Sequence, residues 1–107
     1  MIVVNIDTIP GKKIVEVLGI VKGNTIRARH AGKDILAALK NIVGGEIEEY
    51  TKMVAESREQ SLDRMVEDAR KLGADAVVSV RFMTASMMQG AAELLAYGTA
   101  VKLEDSE

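Results

Sequence analysis

The chain has 107 residues, 48% of them hydrophobic, a net charge of −2 and no cysteine. That length fits one domain over residues 1–107, and the apolar share provides a core without staples. Lacking cysteine, it has no disulfides, thiolate metal sites or cysteine nucleophiles, and its slight acidity disfavours nonspecific binding to nucleic acid phosphates.

Ile2 to Ile6 is short and β-branched and reads as a first strand; no cationic stretch precedes it, so no secretory signal is expected. Ile9-Pro10-Gly11-Lys12 supplies a turn, with Pro10 setting φ at the second position and Gly11 accepting a positive φ at the third. From Ile14 to Val21 both faces are apolar: Ile14, Leu18 and Ile20 on one, Val15, Val17 and Val21 on the other. Such a strand needs cover on both sides. Gly23-Asn24 predicts a bend or bulge, with strand resuming over Thr25 to Arg29.

Lys33 to Val43 switches to helical spacing, with Ile35, Leu36, Leu39, Ile42 and Val43 in one stripe and Gly44-Gly45 ending it. A longer helix follows from Glu46 to Leu72. Its acidic start (Glu46, Glu48, Glu49) and basic end (Arg70, Lys71) complement the helix dipole. Its buried seam is Ile47, Tyr50, Val54, Ser57, Ser61, Met65, Ala69 and Leu72, and the serines would admit a close backbone. Glu67 and Lys71 form a favourable pair, and Gly73 stops the helix.

Ala76 to Met83 returns to period two, with Val78, Val80 and Phe82 on one face and Ser79 and Arg81 on the other. A link through Gln89-Gly90 leads to a last strand over Leu94 to Leu103. There Leu95, Tyr97, Val101 and Leu103 share one face, and Leu94, Ala96, Gly98 and Ala100 make the other small and smooth. Residues 104–107 read as a frayed acidic tail.

The order β-β-α-α-β-β predicts an α+β fold of two layers, a largely antiparallel sheet against two helices on one side. The other sheet face is then too apolar for solvent, and a sister chain is the expected cover. Helices split across both faces would instead leave a monomer.

Ile9-Pro10-Gly11, Ile14-Val15-Glu16, Leu18 to Gly23, Asp34-Ile35, Ile42 to Gly45, Ala69 to Val78 and Gly98 to Val101 together resemble the YbjQ-type family, in order over nearly the whole chain. That family carries the label "putative heavy-metal-binding". The resemblance implies a dodecin-like subunit and a ring-shaped homo-oligomer, usually a pentamer, and no established reaction. A metal is implied by the label alone. Relatives carry acidic residues on the strand after Gly73-Ala74-Asp75; this chain has Ser79, Arg81 and Met83 there, and Arg81 repels a cation.

His30, the sole histidine, lies among Arg27, Arg29 and Lys33. Cations around it disfavour a metal, and a solvated loop is the plain reading. The cluster Arg27, Arg29, His30 and Lys33 suits an anion better, near a helix start. Met83, Met87 and Met88 lack a cysteine or histidine to complete a soft-metal set and read as packing residues. Glu56, Glu59, Asp63 and Glu67 share a solvated helix side with Arg58, Arg64 and Lys71. Ser57 and Ser61 have no adjacent base, and the glycines match no phosphate-binding fingerprint.

The sequence therefore favours a cytoplasmic, homo-oligomeric binding or scaffold protein, with sites for an unidentified small ligand or ion between subunits and no membrane or nucleic acid partner. The alternatives are a metal-handling protein, as the label suggests, and an enzyme whose site is built from two subunits.

Overall fold

The computed structural model describes residues 1–28, 48–88 and 91–106. The expected helix over 33–43, the Gly44-Gly45 joint and the Gln89-Gly90 link lie outside these residues. Within them the chain is α+β, with β1 (Ile2–Val3), β2 (Lys12–Ala28), helix α1 (Glu48–Lys71), β3 (Ala76–Met88) and β4 (Ala91–Asp105). The sheet order is β1-β3-β4-β2. Both long pairings are antiparallel, but β1 runs parallel to β3, so the sheet is mixed rather than wholly antiparallel.

The strands are longer than their patterns suggested. β2 runs unbroken for 17 residues. Its irregularities fall between Ile14 and Glu16 and between Val17 and Gly19, not at Gly23-Asn24. β3 continues past Met83 to Met88. Glu104 and Asp105 extend β4 instead of fraying, held by the Lys12–Asp105 ion pair at 2.5 Å and by the Ser106 N–H donating to the Gly11 carbonyl at 3.0 Å. At the same end of the β2–β4 pairing the expected turn forms, with the Lys12 N–H bonded to the Ile9 carbonyl and Gly11 at φ 80°.

Helix α1 lies over β2 and β4. Its seam holds as read at Ser57, Ser61, Met65 and Ala69, all buried. Leu72 does not join it and is 47% exposed, because the helix ends at Lys71 and Gly73 turns the chain away at φ 77°. Glu67 pairs with Arg70 at 3.0 Å rather than with Lys71. Glu56, Glu59, Asp63, Glu67, Arg58, Arg64 and Lys71 are exposed, as expected of a solvated side.

Small residues beneath the helix set its depth. A Cβ on Gly23 would collide with the Ser61 carbonyl and the Met65 amide, so the helix rides directly on the β2 backbone. Gly98 is similarly confined, since a Cβ there would lie 2.7 Å from Val77 Cγ1 and 3.1 Å from Val80 Cγ2. The small side of β4 (Leu94, Ala96, Gly98, Ala100) is therefore the helix-covered side. A hydroxyl cluster completes the contact. Thr25 Oγ1 donates to the Ser57 carbonyl at 2.8 Å and meets Ser61 Oγ, which donates to the Leu94 carbonyl at 3.0 Å.

β3 changes parity midway. Ser79 sits at φ 56° within a register shift between Val78 and Arg81. Val77 and Val80 both join the core beneath α1, whereas Ala76 and Val78 form a second cluster with Val101 on the opposite face. Val78 and Val80 thus do not share a face, because the bulge inserts one residue into the alternation.

Candidate functional surface

One end of the face away from α1 is closed by the segment between β1 and β2. To pass from one sheet edge to the other this segment crosses the sheet, and Val4 and Ile9 pack on the Ala76, Val78 and Val101 cluster with Ile14 and Leu103. Arg81 fastens the crossing by donating from Nη1 to the Asn5 carbonyl at 2.7 Å.

Beyond Arg81 the same face opens. The register aligns three cross-sheet rows: Lys22–Tyr97–Arg81, Asn24–Leu95–Met83 and Ile26–Glu93–Ala85. Directly opposed residues share a face, so all of these side chains stand away from α1. Ile20 is 76% exposed, Met83 56% and Ile26 54%. Asn24 Nδ2 holds the Glu93 carboxylate at 3.1 Å, leaving the Lys22–Tyr97–Arg81 row with two cations and no carboxylate of its own. Adjacent strands lie about 5 Å apart, so Tyr97 separates two cations whose backbones are about 10 Å apart.

α1 lies on the other face and covers none of this apolar surface, and on its own face it is shorter than the sheet. β2 at about 3.3 Å per residue accounts for the 59 Å long dimension of the molecule, whereas 24 helical residues span only about 36 Å. The radius of gyration is 17.6 Å, against about 13 Å for a compact domain of similar length.

Of the sequence-predicted anion cluster, Arg27 lies near the end of β2 at the register of Ala92. Arg29, His30 and Lys33 are outside the described residues. Of the three methionines, Met83 stands on the open face, while Met87 and Met88 are placed by backbone only, at the end of β3. Lys22, Tyr97 and Arg81 did not stand out from the sequence as a set. The β3–β4 pairs from Arg81↔Tyr97 to Ala85↔Glu93 mirror one another about residue 89, so a hairpin centred on Gln89-Gly90 was the signal that would have aligned two of them.

Among the described residues a mixed four-stranded sheet with a helix laid over one face defines the class, an α+β protein. The chain belongs to the YbjQ family, whose model, described as "Putative heavy-metal-binding", matches residues 1–104. It is 62% identical over 103 residues to a UPF0145 protein of Archaeoglobus fulgidus, covering 96% of this chain and 95% of that one. A UPF0145 protein of Methanosarcina acetivorans is 60% identical over 103 residues, covering 96% and 97%. One of Thermus thermophilus is 56% identical over 104 residues, covering 97% and 91%. Among solved structures, a DUF74-family protein of unknown function from Pediococcus pentosaceus superposes with a TM-score of 0.69 at 14% identity, covering 97% of this chain and 98% of that one, a likeness of fold.

The metal in the family description can be set against the donors present. Among the described residues no group of three or more His, Cys, Asp or Glu side chains comes together to hold an ion. One chain's described residues therefore do not make the site that the description names. Also among them, no helix is long and apolar enough to cross a membrane.

Proposed function

We propose that the chain is the repeating subunit of a homo-oligomeric binding or scaffold protein of the cytoplasm, with its ligand sites between subunits. The observation that carries this is the open face, where Ile20, Ile26 and Met83 stand in solvent beside Leu95 and Tyr97. Burying such a side chain stabilises by about 1.5–3 kcal/mol, so a contiguous set of them favours association. The ring, and the pentamer in particular, come from the family resemblance.

The ligand class that fits the face is an organic anion with an apolar body. Lys22 and Arg81 would meet its charge, with Tyr97 and Leu95 beneath the rest. Metal handling is the second reading, favoured by the family description, and it needs ligands contributed by more than one chain. The proposal assigns no reaction. Size-exclusion chromatography with light scattering, then native mass spectrometry on protein purified without chelator, tests it. An oligomer carrying an organic anion supports the first reading, and one carrying metal at integer stoichiometry supports the second. A monomer at micromolar concentration overturns both.

A further inference from the structure

We infer that the open face holds a nucleoside monophosphate, its phosphate on Arg81 and Lys22 and its base read by Glu93 and Asn24, with guanine preferred. This rests on the reading above of that face as the place where an organic anion is held. Arg81 is the anchor. Its Nη1 donates to the Asn5 carbonyl at 2.7 Å and to the Val80 carbonyl at 2.9 Å, so both hydrogens of that nitrogen are used. Nε and Nη2 remain, a side-on pair of donors with no bonded partner among the described residues. Neutral carbonyls hold the guanidinium in place without cancelling its charge, and a fixed fork of two N–H groups matches two oxygens of one anion.

Lys22 adds a second cation on the other side of Tyr97, and among the described residues neither it nor Arg81 is paired with a carboxylate. Two unpaired cations favour a dianionic phosphate monoester over a single carboxylate. Same-face residues of a strand are about 7 Å apart, so Leu95 and Met83 lie about 7 Å beyond the cations and Glu93 about 13 Å beyond them. A ligand lying along β4 thus meets charge first, then an aromatic and apolar stretch, then a polar end. There the Asn24 amide donates to one Glu93 oxygen at 3.1 Å, which leaves the other Glu93 oxygen and the Asn24 Oδ1 as acceptors. Two acceptors side by side select a base edge with neighbouring N–H donors. Guanine has them at N1 and N2, whereas adenine sets its one donor beside an acceptor.

A single nucleotide is the fitting occupant, not a nucleic acid strand. Tyr97 is the one aromatic that the described strands place on this face, because Phe82 is opposite Ala96 on the helix-covered side. A strand is held by successive aromatics along a basic groove. Here one aromatic and two cations stand on a chain of net charge −2, which serves one base and one phosphate.

NMR titration of the full chain tests the inference with four probes: GMP, AMP, guanosine and 1-naphthalenesulfonate, the last an apolar anion without N–H donors. GMP should shift the amides of Lys22, Arg81, Tyr97 and Glu93. Guanosine and AMP should each bind about tenfold more weakly, the worth of one net hydrogen bond to a charged group. Arg81→Lys keeps the charge but loses the fork, and should weaken GMP by a similar factor. Because that change also frees Asn5, two further variants are read beside it. Lys22→Met should weaken GMP and leave guanosine unchanged, and Glu93→Gln should erase the preference for GMP over AMP. A merely structural role would move neither comparison. GMP binding without that preference, with shifts elsewhere on the chain, or unaltered by the variants overturns the inference. So does 1-naphthalenesulfonate binding at these residues where GMP does not, and the organic-anion reading then stands. If no probe binds this face, both fall.

Discussion

Gly23 of β2 lies directly under the carbonyl of Ser61 in α1, with no room between them for a methyl group. The obstruction is backbone, the Ser61 oxygen and the Met65 nitrogen, so neither neighbour can turn aside as a side chain would. Gly23→Ala must lift the helix from the sheet and open the core around Val21, Met65 and Ala69. Overpacking of this kind costs about 1–3 kcal/mol, and a backbone obstruction places the change at the upper end. Urea unfolding of the variant should show that loss; an unchanged midpoint would mean the helix does not sit this deep.

The hydroxyls of Thr25 and Ser61 act together beside that contact. Thr25→Val keeps the side chain's shape but removes the donor to the Ser57 carbonyl, and Ser61→Ala removes the donor to the Leu94 carbonyl. Each should cost about 1–2 kcal/mol, because the partner is buried and water cannot replace the bond. The double variant should depart from the sum, since the two hydroxyls are in direct contact. A double-mutant cycle by denaturant unfolding measures that difference, and strict additivity would show the two hydroxyls to be independent.

What the sequence made legible follows from these same residues. The helix seam was readable at Ser57, Ser61, Met65 and Ala69 because period 3.6 survives polar members, and two small serines already announced a close neighbour. The faces of β4 were readable for the same reason, with strict alternation from Leu94 to Leu103. Which of those faces the helix covers was not, since smoothness suits a close helix as well as a second subunit. Ser79 was illegible. A serine at positive φ leaves no mark in the pattern, yet it moves Val80 to the side opposite Val78. In β2 the unbulged Gly23 is a packing glycine, and the register shifts fall instead between Ile14 and Glu16 and between Val17 and Gly19, where Gly19 takes φ 120°. Lys22, Tyr97 and Arg81 meet only once three strands are in register, which is tertiary information.

At the far end of β2 the Lys12 ammonium hydrogen-bonds Asp105 and, by that bond and its charge, holds the carboxyl below its ordinary value of 3.8. A carboxyl with a depressed folded-state pKa contributes stability that is present above pH 3.8 and is lost as the pH falls through the folded value. Both groups face solvent, so the effect on unfolding is small and screened by salt. The site itself is the better readout. An NMR titration should place the Asp105 midpoint below 3.8 in the native chain and move it up toward that value in Lys12→Ala. Equal midpoints in the two proteins would show that the ion pair does not persist in solution.

Ile20 and Ile26 separate assembly from folding more cleanly than any buried residue can. Both stand on the face away from α1, at 76% and 54% exposure, and neither belongs to the clusters that hold the subunit together. Replacing either with lysine should change the stability of an isolated subunit by no more than about 0.5 kcal/mol, as expected of exposed positions. In an assembly closed over this face a lysine at 20 would be buried near the cation Lys22, and the interface would lose several kcal/mol; one at 26 would stand opposite Glu93 and cost less. Light scattering should then report a falling mass for Ile20→Lys and Ile26→Lys while Glu59→Lys, on the solvated side of α1, keeps the native mass. Should all three variants keep the native mass, the apolar face is not where the copies meet, and the ligand sites proposed there would have to be sought elsewhere.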